Sequence, residues 1–305
     1  MHYERSEHYK DGYNLCFNLF LLGNGIKLIS PYFIKNHYPL KLFNQLYVVI
    51  NNFKIQVMKL HLKIWRQENK NTTGTLVDYT LENLNPHMSF LEMLDTLNEK
   101  LILANDIPVE FDHDCREEVC GQCGMMINGI AHGPLKNTTT CQLHLRSFRD
   151  GEVIFIEPFR SEAFPVKKDL KVDCSAFDRI ISSGGYVSIN TGQAPEALTI
   201  PVTHQVTEAA FDAAACIGCG ACVATCKNGS AALFTSAKII HMVLLPQGKE
   251  ERLTRVIDMV NRMDVELFAY CMNTEACEVE CPQGISILNI ARMNYEYNRA
   301  HFLKK

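Results

Sequence analysis

The chain has 305 residues, of which 47% are apolar and 21% are charged, and its formal net charge at pH 7 is -4. This composition suits a folded protein with room for two domains, and it excludes collagen-like and disordered chains. The charge and the lack of any Lys/Arg-rich block argue against a nucleic-acid partner. No run of about 18 or more apolar residues and no secretion signal is visible, so we expect a cytoplasmic chain that does not itself span a bilayer.

The start of the chain differs from the rest. Residues 1–57 show no sustained period of 2 or 3.6 residues, whereas a regular alternation begins at Met58. We therefore expect that Met58 is the natural first residue and that residues 1–57 are an extended start or a poorly ordered arm.

Two strands and a helix are predicted directly after this point. The strands alternate apolar and polar residues, and their apolar positions are Leu60, Leu62, Ile64, Val77, Tyr79 and Leu81. The helix begins at a capping box formed by Ser89 and Glu92. Its apolar stripe consists of Leu94, Leu97 and Leu101.

A hairpin and a further strand complete the first predicted domain. Asn128 and Gly129 are the pair that a type I′ turn requires, so residues 125–132 are predicted to form a hairpin. The segment VIFIEP at 153–158 is predicted to return to the same sheet. The result is a small mixed sheet covered by one helix, to which we assign residues 58–163.

The second predicted domain, residues 164–305, consists of helices that hold two cysteine loops. Its first helix begins near residue 177 and breaks at Gly184 and Gly185. Further helices are predicted over 230–245, 250–264 and 285–300. The apolar stripe of the helix at 250–264 consists of Leu253, Val256, Ile257, Val260 and Met263.

Cysteine is unusually frequent and is clustered. The chain has 13 cysteines, and all but Cys16 and Cys174 fall within 115–141, 216–226 or 271–281. In a long chain without a secretion signal, such clusters indicate metal ligands or redox chemistry rather than disulfides. We interpret Cys174 as a buried small apolar residue.

The first cluster has the spacing of a plant-type [2Fe-2S] site. Cys115, Cys120 and Cys123 follow C-x4-C-x2-C, with Cys141 as the fourth ligand. The glycines that follow Cys120 and Cys123 would let the backbone fold closely over the cluster. A zinc site is the alternative, but a zinc ribbon has two C-x2-C pairs.

The second and third clusters form one ferredoxin-like pair. The run C-x2-C-x2-C-x3-C is formed by Cys216, Cys219, Cys222 and Cys226, and in such runs the fourth cysteine binds the other of two clusters. The same intervals counted from Cys271 reach Thr274, Cys277 and Cys281, followed by Pro282. The partner run is therefore present with its second cysteine replaced by threonine.

This exchange rule predicts two different clusters. A [4Fe-4S] cluster would be held by four thiolates, those of Cys216, Cys219, Cys222 and Cys281. The other cluster would be held by only three, those of Cys226, Cys271 and Cys277. A threonine hydroxyl is a poor ligand for iron that normally takes soft thiolates, so we expect [3Fe-4S]. In the alternative, water or hydroxide completes a four-iron cube.

Three clusters in one chain predict an electron-transfer protein. The sequence has no G-x-G-x-x-G loop, no P-loop and no pair of helical histidines, so we expect no substrate-binding catalytic residue on this chain. We interpret His241 as a packed core residue of its helix. Another polypeptide would then supply or accept the electrons.

The sequence resembles the iron-sulfur subunits of succinate dehydrogenase and fumarate reductase over about residues 58–302. The resemblance is carried by DYTLE, CREEVCGQCG, PVKKDLKVD, LPQGKEER and CEVECPQGI, and by the order of the three cysteine clusters. It implies an α+β chain with an N-terminal β-grasp [2Fe-2S] ferredoxin domain and an all-α ferredoxin-like domain with [4Fe-4S] and [3Fe-4S] clusters.

The resemblance also implies partners and a location. These are a flavoprotein with covalently bound FAD, which interconverts succinate and fumarate, and a membrane anchor that binds quinone and haem b. Electrons from succinate would enter at the Cys115 loop and leave from the three-iron cluster, with the reverse path in fumarate reduction. The chain would be peripheral, at the cytoplasmic face of the cell membrane.

Three positions depart from the family. Lys227 stands where many relatives have proline, Met272 stands where many have histidine, and the only tryptophan is Trp65. Those family residues help form a quinone pocket beside the three-iron cluster, so the resemblance leaves this pocket open. In the alternative, electrons pass to haem in the anchor before they reach quinone. Two rival functions stay open: an iron-sulfur subunit of another dehydrogenase, and a binding module stabilised by zinc.

Overall fold

The structure, a computed structural model, describes residues 57–188 and 196–303. The predicted N-terminal arm lies outside the described residues except for Val57. Within the described part, no helix is long and apolar enough to cross a membrane.

A five-stranded mixed sheet forms the N-terminal half. Its strands are β1 (Met58–Arg66), β2 (Thr75–Leu84), β3 (Met125–Ile127), β4 (Ile130–Ala131) and β5 (Val153–Pro158). The spatial order is β2-β1-β5-β3-β4, in which only β1 and β5 run parallel. The predicted hairpin is confirmed, because Asn128 and Gly129 connect β3 to β4 with positive φ angles of 52° and 78°.

The helix α1 (Phe90–Leu103) covers this sheet and its predicted capping box is confirmed. The backbone N–H of Glu92 donates to Ser89 Oγ at 3.2 Å, and that of Ser89 donates to Glu92 Oε2 at 2.5 Å. The apolar stripe of α1 and the inward face of β1 are buried in one core. Leu60, Leu62 and Ile64 are fully buried in it, as the period of 2 predicts.

Strand β2 buries less than its alternation predicts. It lies at the edge of the sheet, where Leu81 is fully buried but Val77 is 37% exposed. An edge strand has a neighbour on one side only, and α1 does not extend over all of it. The sequence pattern gives the face of a residue but not the extent to which that face is covered.

A second hairpin, which the sequence analysis did not identify, links the two halves of the molecule. Its strands are β6 (Val166–Lys168) and β7 (Lys171–Val172). The buried Asp169 in its turn accepts hydrogen bonds from the Arg66 side chain at 3.0 Å and from the backbone N–H groups of Gln67 at 2.9 Å and Glu110 at 3.0 Å. These bonds fix the hairpin against the sheet domain.

The C-terminal half is helical, as predicted. Its helices are α2 (Ser175–Gly184), α3 (His204–Ala214), α4 (Ala221–Thr225), α5 (Ala232–Leu244), α6 (Arg252–Val265), α7 (Ala276–Val279) and α8 (Leu288–Leu303). Helix α5 is central and packs against α3, α6 and α8. Its buried residues share a core with Phe164, Phe177 and Phe268, and the rings of Phe177 and Phe234 stack with centroids 3.7 Å apart.

Two helix boundaries have local causes. Helix α2 ends at Gly184, as the glycine pair predicts. The last helix begins at Leu288 rather than at residue 285, because the preceding residues belong to a cysteine loop: the N–H of Ile285 donates to Cys281 Sγ at 3.4 Å. Helix α3 was not predicted, because its stripe of Val206, Ala210 and Ala213 is short and weakly apolar.

Candidate metal centres

The exchange rule divides the eleven clustered cysteines into three candidate sites. The first site comprises Cys115, Cys120, Cys123 and Cys141. The second site comprises Cys216, Cys219, Cys222 and Cys281. The third site comprises Cys226, Cys271 and Cys277.

The outer part of the first site is a loop of left-handed turns. Arg116 and Glu118 have φ angles of 56° and 61°, which direct successive N–H groups toward one point. Cys115 Sγ accepts hydrogen bonds from the backbone N–H groups of Glu117 at 3.3 Å, Val119 at 3.4 Å and Cys120 at 3.3 Å. These bonds lower the pKa of the Cys115 thiol to about 7, so the loop stabilises the thiolate that a metal requires.

The inner part of the first site is buried. Cys141 lies on a short 3₁₀ turn, Thr140–Gln142, and both Cys123 and Cys141 are almost fully excluded from solvent. Burial raises the pKa of the Cys123 thiol to about 12, and the adjacent Cys141 thiol adds to the rise. The long interval from Cys123 to Cys141 thus still brings the fourth cysteine beside the third.

The loops of the first and second sites are in direct contact. A Cβ on Gly121 would lie 2.7 Å from Ile217 O and 3.1 Å from Cys219 Cα, and a Cβ on Gly124 would lie 3.2 Å from Cys219 O. Gly121 also has a φ of +73°, which disfavours any other residue. Because these residues are glycines, the two loops can lie close together. A side chain at either position would push them apart.

The second site surrounds a cavity between α4, α5 and the loop before α8. Its four thiols line this cavity together with the apolar side chains of Phe177, Leu233, Phe234 and Ile285. Burial raises the pKa values of the Cys216, Cys219 and Cys222 thiols. Lys238 on α5 donates to Cys216 O at 2.6 Å and is the nearby cation that opposes this rise at Cys216.

The third site lies between the end of α4, the loop before α7 and α7 itself, which carries Cys277. Burial raises the pKa of the Cys277 thiol to about 11, and the adjacent Cys271 and Cys226 thiols add to the rise. Asn228 Nδ2 donates to Tyr270 O at 3.1 Å and ties the two parts together. Cys281 thus lines one cavity with Cys216, Cys219 and Cys222, and Cys226 lies near Cys271 and Cys277.

Thr274 lies in this last loop and is exposed. Its neighbours Asn273 and Glu275 both have positive φ, 55° and 61°, and the N–H of Asn273 donates to Cys271 Sγ at 3.3 Å. The loop therefore curls around the sulfur of Cys271, as the Cys115 loop does, and carries a hydroxyl where the second site has the thiol of Cys219.

The donor sets fit iron-sulfur clusters. Among residues 57–188 and 196–303, no three His, Cys, Asp or Glu side chains converge closely enough to hold one metal ion. The thiolates of an iron-sulfur cluster are shared among two or more iron atoms, with at most two thiolates on each, so they need not all converge on one point. Because metal binding requires thiolates, the raised pKa values mean that iron must displace protons from the buried thiols.

Trp65, His241 and Cys174 lie outside the three candidate sites. Trp65 lies on β1, where Arg160 stacks over its ring at 4.2 Å, and it belongs to the sheet domain. His241 is half-buried and bonds to Ala237 O at 3.0 Å within its own helix. Cys174 is half-buried at the start of α2, and burial raises the pKa of its thiol to about 12.

Sequence reasoning did not identify two buried polar residues near the first site. Thr139 Oγ1 lies 3.1 Å from Cys141 Sγ, and His132 Nδ1 lies 3.1 Å from Thr140 Oγ1. The sequence signal for Thr139 was the run of three threonines directly before Cys141, because adjacent buried threonines are unusual.

Two family models match the chain. The model described as "2Fe-2S iron-sulfur cluster binding domain" matches residues 61–179, and that described as "4Fe-4S dicluster domain" matches residues 215–285. Fold and thiol groups thus define an iron-sulfur protein with a two-iron, two-sulfur domain followed by a dicluster domain.

Curated relatives identify the family. The chain is 30% identical over 209 residues to the succinate dehydrogenase iron-sulfur subunit of Bacillus subtilis, which covers 64% of this chain and 74% of the relative. It is 27% identical over 220 residues to the fumarate reductase iron-sulfur subunit of Wolinella succinogenes, covering 69% and 84%. The chain belongs to the family of succinate dehydrogenase and fumarate reductase iron-sulfur subunits.

A solved structure has the same fold. It is a chain of the Mycobacterium smegmatis Sdh1 complex in the apo form, with a TM-score of 0.58 and 20% identity. The match covers 81% of this chain and 98% of that chain.

Proposed function

We propose that this chain carries electrons between the FAD of a succinate/fumarate flavoprotein and the quinone or haem b of a membrane anchor. The observation that carries the proposal is the set of three thiol groups, in which the third group lacks one thiol at Thr274. A chain that served only to bind zinc would have no use for three groups of different composition in one compact unit.

The proposed ligands follow the three sites. The first site would hold [2Fe-2S] through Cys115, Cys120, Cys123 and Cys141. The second would hold [4Fe-4S] through Cys216, Cys219, Cys222 and Cys281. The third would hold [3Fe-4S] through Cys226, Cys271 and Cys277. When bound, such clusters supply one-electron oxidation and reduction at potentials that their surroundings tune.

The protein's own part is to bind, shield and space these centres. The apolar residues around the second site exclude water from it. The glycines at 121 and 124 hold the first and second loops in contact. Because the rate of electron transfer falls steeply with distance, this contact favours transfer between the first two centres.

We assign the sheet with its covering helix to a β-grasp [2Fe-2S] domain, residues 58–163, and residues 164–305 to an all-α ferredoxin-like domain. Two separate apolar cores support this division. The hairpin β6–β7 follows the proposed boundary and folds back onto the first domain through Asp169 and Leu170.

Exposed apolar residues beside the outer sites support two partner surfaces. Val119, next to Cys120, is 66% exposed. Tyr270 and Met272, on either side of Cys271, are 83% and 72% exposed. Apolar side chains at such positions are suited to burial in a protein interface. We propose that the flavoprotein contacts the first surface, that the anchor contacts the second, and that the complex lies at the cytoplasmic face of the cell membrane.

Purification of the chain with an affinity tag, after mild detergent extraction of membranes, tests this function. We expect a flavoprotein with covalent FAD and a haem-containing anchor to copurify, and the complex to reduce quinone with succinate or oxidise quinol with fumarate. A copurifying flavoprotein that turns over neither succinate nor fumarate would overturn the proposal, as would a chain that contains zinc in place of iron.

A further inference from the structure

Thr139 is a fully buried residue that lies between the two parts of the first site. Its backbone N–H donates to Glu118 Oε1 at 2.6 Å. Its hydroxyl oxygen lies 3.1 Å from Cys141 Sγ and 3.3 Å from Glu118 Oε1. A hydrogen bond from Thr139 also opposes the rise in the pKa of the Cys123 thiol, so one hydroxyl proton has three neighbouring acceptors, two of them thiols of the first site.

The distances indicate which acceptor receives the proton. Hydrogen bonds from a hydroxyl to an oxygen are about 2.5–3.0 Å long, so 3.3 Å to Glu118 is long. Sulfur is larger than oxygen, so 3.1 Å to Cys141 is a close contact. Glu118 Oε1 already receives the backbone N–H of Thr139, and a metal-bound Cys141 thiolate has no proton to donate. With Cys141 bound to metal, Thr139 would therefore be the donor of this contact, and the bond from its backbone N–H to Glu118 positions it.

This contact differs from the other hydrogen bonds to the thiols. Those described for Cys115, Cys120, Cys271 and Cys281 come from backbone N–H groups. In the described part of the chain, Thr139 is the one side-chain hydroxyl found within hydrogen-bond distance of a thiol of the three sites. A side-chain donor can be removed by substitution, whereas a backbone donor cannot.

We propose that the Thr139 hydroxyl raises the reduction potential of the first site by donating a hydrogen bond to Cys141 Sγ. The inference rests on the proposed role of Cys141 as a [2Fe-2S] ligand. When the flavoprotein passes one electron to the cluster, the negative charge on the thiolates increases. The hydroxyl proton stays on Thr139. A hydrogen bond to sulfur stabilises the more negative state, which makes reduction easier.

The chain offers a matched set of variants. Thr139→Ala and Thr139→Val remove the hydroxyl, and Val keeps most of the side-chain volume. Thr139→Ser retains the hydroxyl. Thr140→Ala is the control, because Thr140 is equally buried and also adjoins Cys141, but its hydroxyl pairs with His132.

The test is an EPR-monitored redox titration of the intact complex carrying each variant. We expect Thr139→Ala and Thr139→Val to lower the ratio of reduced to oxidised first cluster at a fixed potential about tenfold, which is about 59 mV for one electron. Thr139→Ser and Thr140→Ala should titrate with the parent, and the other two clusters should not shift.

The outcomes separate this inference from the proposed function. A parent two-iron signal whose potential is the same in Thr139→Val, or shifts equally in Thr140→Ala, overturns the role of Thr139 alone. A parent complex without any two-iron signal overturns the ligand assignment and this inference with it. If Thr139→Ala does not retain its cluster, the comparison of Thr139→Val with Thr139→Ser decides.

Discussion

Thr274 determines how many thiolates the third site can offer. Its loop retains the left-handed turns at Asn273 and Glu275 and the N–H bond to Cys271 Sγ, so the backbone is that of a ligand loop. At the corresponding position the second site has the thiol of Cys219, and its loop has positive φ at Gly218 and Gly220, the positions that match Asn273 and Glu275. A single substitution should therefore restore a fourth thiolate without a change of fold.

We predict that Thr274→Cys converts the third site from three irons to four. The expected result is loss of the three-iron EPR signal of the oxidised protein and a gain of about one iron per chain over about nine. Thr274→Ser, which adds no thiol, should retain the three-iron signal. An unchanged three-iron signal in Thr274→Cys would count against the assignment of this loop.

His132 couples the stability of the sheet domain to pH. It is buried, and burial lowers its pKa to about 4, from about 6.5 in an unfolded chain. Between these values the unfolded chain binds a proton that the folded chain does not, so stability falls as the pH falls from 6.5 toward 4. Above pH 6.5 the residue is neutral in both states and has no effect.

We predict that His132→Asn reduces this dependence, since the amide oxygen can accept the Thr140 hydrogen bond that Nδ1 now accepts. From pH 7 to pH 5.5 the parent should lose about 1 kcal/mol more stability than the variant. Thermal melts at the two pH values measure the difference. Equal losses in parent and variant would show that His132 titrates normally.

At the scale of elements, Arg255 holds the helical domain together. It lies on α6 with its side chain fully buried. It donates to the carbonyl oxygens of Gly184 at 2.8 Å, Gly248 at 2.8 Å and Tyr186 at 2.6 Å. One guanidinium thus satisfies the carbonyl at the end of α2 and two in neighbouring loops, and Glu251 lies beside it as a counter-charge.

We predict that Arg255→Leu costs about 3 kcal/mol, because it leaves three carbonyl oxygens without this donor, those of Gly184 and Gly248 in buried surroundings. At about 2–4 °C per kcal/mol, the apparent melting temperature should fall by about 6–12 °C. Lys63→Leu removes a cation from the exposed pair with Asp78 and should cost less than about 1 kcal/mol. Similar shifts in the two variants would contradict the role given to Arg255.

The contact between the first and second loops depends on Gly121. We predict that Gly121→Ala slows reduction of the second site through the first, because the new methyl group must move the loop away from Ile217 and Cys219. Gly129→Ala is the control: Gly129 has a similar φ of +78° but nothing lies within 4 Å of a Cβ there. Rapid-mixing reduction followed by optical and EPR detection measures the rate, and equal rates in both variants would sink the idea.

At the scale of the whole molecule, the sequence predicts where helices and strands occur better than how deeply their residues are buried. Periodicity identified β1, α1, α5 and α6, and the Asn128 turn located its hairpin, because each depends on neighbouring residues. Contacts between distant segments leave no periodic signal. They determine the exposure of Val77, the position of the hairpin around Asp169 and the hydrogen bonds of Arg255.

The same limit applies to the candidate sites. Spacing predicts how the cysteines group and that Cys226 and Cys281 are exchanged between two sites, because cluster geometry restricts the loop lengths. It could not show that Gly121 contacts Ile217, or that Thr139 lies beside Cys141. The first contact depends on how the two halves of the molecule meet. The second depends on the local turn that begins at Thr139 and carries Cys141.

The central claim is that three thiol groups of one chain hold three clusters of different size. Mössbauer spectroscopy of the purified complex, enriched in ⁵⁷Fe, tests it most directly because it resolves the iron of each cluster type. We expect the non-haem iron to divide among two-, three- and four-iron clusters in a ratio of about 2:3:4. A spectrum without a three-iron component, or with one type of cluster only, would contradict it.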